Sequence, residues 1–129
     1  MVELGKSKMA VLLLVLVVVG LAVIAQLSLK KGMTKVGAIE IGDLLTSKVF
    51  SIITEKFVVI GLLLYFVASA LWVVILSKEE LSFAYPLIAL GYIFTAVLAS
   101  LLFNESLTLF RIVGILSIAL GVFLIVIKI

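Results

Sequence analysis

The sequence predicts an all-α membrane protein with four transmembrane helices and an amphipathic interfacial helix between the first and the second. Three observations predict this fold class. Apolar residues make up 66% of the 129 residues and charged residues only 13%, and the mean hydropathy is +1.53. These values lie far outside those of a water-soluble domain. The apolar residues also fall into four long runs, and the charged residues gather at the ends of these runs.

Each apolar run is long enough to cross the hydrocarbon core of a bilayer as a helix. Met9 to Leu29 carries no charge, and at 1.5 Å per residue it reaches about 31 Å. The last run contains one charge, Arg111, close enough to its start for the long side chain to reach the interface. We therefore predict a single four-span domain over residues 1–129. Its spans are expected at about 9–31, 57–77, 81–103 and 107–127.

The segment at about 40–54 has apolar residues at helical spacing, while Glu40, Asp43 and Lys48 fall mostly on the opposite side. This pattern predicts a helix lying on the membrane surface. The other two links, Ser77 to Ser82 and Asn104 to Thr108, are short. Short links make consecutive spans antiparallel neighbours.

Composition excludes several classes of function. The chain has no histidine and no cysteine, so the usual ligands of zinc and haem, a histidine-based triad and a thiolate nucleophile are absent. The net charge of +3 forms no basic face interleaved with aromatics, and we expect no nucleic-acid partner. No acidic residue lies deep in a span, where a proton or cation exchanger normally needs one. We expect no enzymatic activity, cofactor or metal.

The distribution of basic residues leaves two orientations open. The side with both termini carries four lysines, including Lys128, and the other side carries five lysines and Arg111. Taken literally, this difference places the termini outside the cytoplasm. A difference of two also permits insertion both ways round.

The end of the first span carries the first candidate site. Gln26 and Lys30 are four residues apart and share a helix face, while Lys31 points about 100° away. We expect Lys31 to reach the headgroups and Lys30 to turn inward with Gln26. Anchoring at the headgroups explains both lysines, but an amide at the edge of the hydrocarbon needs a partner. The pattern predicts a cationic site for an anionic group.

Aromatic and small residues share faces on the next two spans. The face on the second span consists of Gly61, Tyr65, Ala68, Ser69 and Trp72. On the third span Tyr85 and Tyr92 lie on a stripe of alanines, and Pro86 is expected to be tolerated as a first-turn residue. These faces either line a cavity or hold residues of the interfacial aromatic belt and of helix packing.

Two further features concern the fourth span. Gly114 and Gly121 lie on one stripe and predict close contact with another helix, either of this chain or of a second protomer. Glu105 precedes the span in a short loop. It is either a functional acid or, as we favour, the N-terminal cap of the fourth helix.

Two stretches resemble a known family. The stretch "AYPLIALGYIFTAVLASLLFNESLTLFRIVGILSIALGVFLI" (Ala84 to Ile125) and the stretch "AQLSLKKG" (Ala25 to Gly32) resemble the small four-span EamA-like members of the drug/metabolite transporter superfamily. The nearest pattern is that of the small subunits of the aminoarabinose-phosphoundecaprenol flippase. The small multidrug resistance proteins are more distantly similar, and Ala22 stands where they have an essential glutamate.

The resemblance implies a multi-pass protein of the cytoplasmic membrane that works as a homodimer or with a similar four-span subunit. It implies transport of an amphipathic anionic molecule, such as a polyprenyl-phosphate-linked sugar, across this membrane. Membrane lipids are the other expected partners. The alternatives are an exporter of small cationic or neutral compounds and a non-transporting accessory subunit. The candidate substrate-binding residues are Gln26, Lys30, Tyr65, Trp72, Tyr85, Tyr92 and Glu105.

Overall fold

The computed structural model of the protein describes residues 2–127, with side chains from residue 5 onward, so Lys128 lies outside the described residues. Its helices are α1 (Val2–Val36), a 3-10 helix (Ile41–Leu45), α2 (Lys48–Thr54), α3 (Lys56–Leu76), α4 (Leu81–Leu87), α5 (Leu90–Phe103) and α6 (Leu109–Val126). No strand occurs in residues 2–127. Four helical stretches are long and apolar enough to cross a membrane, with α4 and α5 together forming the third. This confirms the predicted all-α fold with four spans.

Helices α1 and α3 form the most extensive contact between helices in the described residues. Two glycines allow their backbones to approach closely. A Cβ atom on Gly61 would lie 2.9 Å from the carbonyl oxygen of Ala25, and one on Gly32 would lie 2.8 Å from the backbone nitrogen of Val58. Because Gly61 and Ala68 are both buried, the small residues of this face serve helix packing.

The third span is interrupted just after Pro86. This residue is the sixth of α4, so the expectation that it lies in the first turn is wrong. Proline has no N–H to donate to the residue four positions earlier, and its ring crowds that carbonyl. The helix ends at Leu87. The next two amides donate to the residue three positions earlier instead of four, from Ile88 to the Tyr85 carbonyl (3.1 Å) and from Ala89 to the Pro86 carbonyl (3.0 Å). Helix α5 then begins at Leu90.

Helix α6 lies on the outside of the bundle, and Val122 is its only buried residue within the described part of the chain. Nothing in residues 5–127 lies within 4 Å of a Cβ built on Gly114 or Gly121. These two glycines of the small-residue stripe therefore make no close contact with another helix in the described part of the chain.

The segment between the first two spans is divided. The 3-10 helix and α2 replace the single helix expected at about 40–54, with Thr46 and Ser47 between them. The Asp43 carboxylate holds the pieces together by accepting from the Glu40 backbone N–H (2.9 Å) and the Lys48 ammonium (3.0 Å). These two bonds, the backbone bond first, lower the pKa of Asp43 below its ordinary value of 3.8. Contact with the membrane surface stays a prediction.

Replacing Asp43 by Asn is expected to speed amide hydrogen exchange over residues 41–54, because the charged partner of Lys48 is lost. A depressed pKa means that the carboxylate stabilises this segment above its ordinary pKa and that the effect disappears as the pH falls through the lower folded value. Hydrogen exchange of the variant and of the wild type, measured by mass spectrometry at the same pH, checks the expected increase in rate. The control is Glu80→Gln, an acidic residue of the opposite loop, and equal exchange in both variants would contradict the role of Asp43.

Candidate functional site

Lys30 and Glu105 form an ion pair at one end of the bundle. The Lys30 Nζ lies 3.3 Å from the Glu105 Oε1, and the side chains are 55% and 42% exposed. Glu105 follows Asn104, which ends α5 in the left-handed region (φ 54°) and turns the chain into the loop before α6. The pair therefore connects the end of α1 to the α5–α6 loop. The expectation that Lys30 turns inward with Gln26 is wrong, because its partner is a loop carboxylate.

The cap of the fourth helix is Thr108. Its side-chain oxygen accepts from the Arg111 backbone N–H at 3.3 Å, which satisfies one of the free amides of the first turn. The interpretation of Glu105 as this cap is therefore wrong. The guanidinium of Arg111, in the first turn of α6, donates to the Ser106 carbonyl at 2.9 Å, so this cation is held against the loop that carries Glu105.

A lateral groove of about 410 Å³ begins at this loop and runs between α5 and α6; we call it the α5–α6 groove. Glu105 and Arg111 are the charged residues of its lining, and Tyr92, which is 60% exposed, lies farther along. The rest of the lining consists of Ala96, Ser106, Leu107, Gly114, Ile115 and Ile118. The groove thus joins a charged end to an apolar trough, an arrangement that suits a molecule with a polar head and an apolar tail.

The remaining predicted residues lie elsewhere. Gln26 is exposed on α1, and its side chain is close to the hydroxyl of the half-buried Tyr65 on α3. Trp72 and Tyr85 meet edge to face, with ring centroids 6.4 Å apart, and line a hollow of about 480 Å³. Trp72 lies about 24 Å along α3 from the start of that helix at Lys56. The seven candidate residues therefore form three separate groups in the described part of the chain.

Sequence reasoning also missed two features. It treated Arg111 only as an interfacial residue, although Arg111 lines the α5–α6 groove. It expected Lys31 to reach the headgroups but did not predict its aromatic partner: the Lys31 ammonium lies 4.3 Å from the ring centroid of Phe57. The adjacent Lys56 and Phe57 at the start of the second span were the available signal, because a lysine and an aromatic ring at an interface often interact.

Four apolar spans and a laterally open groove define a small multi-pass membrane protein. One relative from Proteus mirabilis (strain HI4320), named "Probable 4-amino-4-deoxy-L-arabinose-phosphoundecaprenol flippase subunit ArnF", is 37% identical over 115 residues, 81% of this chain and 83% of that protein. The ArnF relative from Photorhabdus laumondii subsp. laumondii is 36% identical over 118 residues, 85% of this chain and 91% of that protein. The chain belongs to this family of small flippase subunits.

A relative from Serratia proteamaculans (strain 568), named as the ArnE subunit of the same flippase, is 33% identical over 72 residues, 56% of this chain and 63% of that protein. No protein-family model matches the chain, and no solved structure matches it at a significant level. The relatives confirm the resemblance to the small flippase subunits, and they are named as such subunits.

Proposed function

We propose that this protein is a flippase subunit that moves a polyprenyl-phosphate-linked aminosugar across the cytoplasmic membrane. The observation that carries the proposal is the Lys30–Glu105 ion pair beside the charged end of the α5–α6 groove. The family relatives are named for a lipid whose head contains both an amine and a phosphate. A pair of opposite charges offers a partner to each of these groups.

The charges assign a role to each side chain. Lys30 supplies a point charge for the phosphate, and Arg111 presents several donors in a planar fork that suits phosphate oxygens. Glu105 accepts the protonated amine of the sugar. Because the ion pair is exposed, it contributes only about 0–1 kcal/mol in the absence of a ligand. A lipid headgroup that carries both a phosphate and an amine can therefore separate Lys30 from Glu105 at little cost in free energy.

The apolar part of the groove completes the path. Ala96, Ile115 and Ile118 line a trough that opens to the side, so a polyprenyl tail remains in the hydrocarbon while the head moves along protein groups. The protein thereby lowers the cost of taking a charged head through the bilayer, and no covalent step is involved.

Thermal stabilisation by ligands tests this proposal. The aminosugar-linked polyprenyl phosphate is expected to raise the unfolding temperature of the purified protein more than plain polyprenyl phosphate does, because only the former engages both Lys30 and Glu105. Tetraphenylphosphonium serves as the cationic control. Stabilisation by this cation with none by either lipid would contradict the proposal and favour export of small cationic compounds.

We further propose that α6 binds a second four-span subunit, which is either another copy or a similar chain. Gly114 and Gly121 leave open space on the outer face of α6, and small residues are typical of close helix contacts in membranes. Gly114 also lines the α5–α6 groove, so a partner at this face would cover the groove. The relatives carry two different subunit names, ArnE and ArnF, which agrees with a paired arrangement.

The double variant Gly114→Leu/Gly121→Leu is expected to remain folded and to lose self-association or pairing, because the leucines fill the open stripe. Light scattering coupled to size-exclusion chromatography in detergent measures the oligomeric state. Gly20→Leu is the matched control, since Gly20 also faces open space. An unchanged oligomer in the double variant would exclude α6 as the interface.

A further inference from the structure

Three lysines converge on one aromatic ring at the start of α3. The ammonium groups of Lys31, Lys35 and Lys56 lie 4.3, 4.5 and 5.1 Å from the ring centroid of Phe57. These distances are within the range of cation–π attraction. We call these four residues the lysine cluster. It brings together helix α1 and the first residues of helix α3.

The charges of the lysine cluster are not balanced by nearby acids. Glu55 lies 3.9 Å from Lys35, but its carboxylate also caps α3 by accepting from the Phe57 and Val58 backbone N–H groups at 2.8 and 3.0 Å. Among the described residues, no carboxylate lies within 4 Å of the Lys31 or Lys56 ammonium. Three cations and one anion leave an excess of two positive charges. Repulsion between these cations favours binding of an anion.

An apolar groove continues from the lysine cluster. It has a volume of about 280 Å³ and includes Lys31 and Phe57 in its lining. The other lining residues are Ile24, Leu27, Ser28, Leu102 and Phe103. Because Ile24, Leu27 and Lys31 are three and four residues apart on α1, the groove follows one face of this helix away from the lysines.

We propose that this combination is a second binding site, for an anionic phospholipid of the surrounding bilayer. The lysine cluster binds the phosphate, and one acyl chain lies in the groove between α1 and α5. A soluble phosphate would use only the cluster, whereas the shared Lys31 and Phe57 make the cluster and the groove one continuous surface. The site is distinct from the ion pair, since Lys30 contacts Glu105. Two adjacent lysines thus serve two sites, and this one does not depend on transport.

Lipid binding by the intact protein tests this site. Native mass spectrometry in detergent measures the affinity for phosphatidylglycerol, with phosphatidylcholine, a zwitterionic lipid of zero net charge, as the comparison. Lys31→Gln/Lys56→Gln is expected to weaken phosphatidylglycerol binding roughly 30-fold and to leave phosphatidylcholine binding unchanged, because each lysine near the surface contributes to attraction of an anionic lipid. Lys6→Gln/Lys8→Gln removes the same charge near the other end of α1 and is expected to have no such effect.

Two further experiments distinguish binding of a phospholipid from binding of a free anion at this site. Leu102→Trp fills the groove at an exposed position and is expected to weaken phosphatidylglycerol binding with the lysines intact. Inorganic phosphate at millimolar concentration is expected not to displace the lipid from the wild type. The proposal is overturned if wild-type protein shows no preference for phosphatidylglycerol, if both lysine variants behave alike, or if inorganic phosphate displaces the lipid. Thermal unfolding without added lipid verifies that each variant folds.

Discussion

Replacing Lys30 by Ala is expected to slow translocation of a polyprenyl-phosphate-linked aminosugar at least about tenfold, since a hydrogen bond to a charged group contributes about 1.5–3 kcal/mol. The phosphate then loses its point charge, and Glu105 remains without its partner at 3.3 Å. The assay is accessibility of the aminosugar head to a membrane-impermeant amine reagent in vesicles that contain the purified protein, together with any partner subunit that it requires.

The control for this experiment is Lys78→Ala, which removes a lysine from the loop at the other end of the bundle. The unfolding temperature separates transport from folding. Because the Lys30–Glu105 pair is exposed, its loss is expected to cost no more than about 1 kcal/mol of stability. Transport within twofold of wild type in Lys30→Ala, Lys30→Gln and Lys30→Arg would remove this residue from the site.

Gly61→Ala is expected to destabilise the protein by about 1–3 kcal/mol, the usual cost of overpacking a close contact. The added Cβ would lie 2.7 Å from the Leu29 Cγ and 2.9 Å from the Ala25 carbonyl oxygen. A side chain can rotate away, but the backbone oxygen moves only if α1 and α3 separate. Equilibrium unfolding in mixed micelles measures the free-energy difference.

Gly20→Ala is the matched control for Gly61→Ala, because a Cβ on Gly20 meets nothing within 4 Å. Both substitutions make the same change in backbone freedom, so the difference between them isolates the contact with α1. Equal stability of the two variants would show that α1 and α3 do not pack as closely as described.

The four spans were predictable because a bilayer imposes a length and an apolar composition on every crossing helix. The ends of the helices follow different physics. The first membrane span was predicted to end near residue 31, whereas helix α1 continues to Val36, because backbone hydrogen bonds do not stop where the apolar run does. Gly37, with a φ of 93°, ends the helix in the left-handed region that glycine favours. A sequence reading based on glycine would have located this end.

The candidate site was predictable only in part. Periodicity correctly separates the directions of Lys30 and Lys31, because it depends on one helix alone. It does not give the partner on another segment. The conformation of Asn104 places Glu105 within reach of Lys30, and the close contact of α1 with α3 places Phe57 under Lys31. Both partners are set by tertiary structure.

Photocross-linking of a polyprenyl phosphate that carries a photoreactive group beside its phosphate tests the central claim most directly. Mass spectrometry of the digested protein identifies the labelled peptide. We expect adducts within residues 105–114, where Glu105, Arg111 and Gly114 line the charged end of the α5–α6 groove. Adducts confined to residues 72–86, around the Trp72–Tyr85 hollow at the opposite end of α3, would contradict the assignment of the head to the Lys30–Glu105 pair.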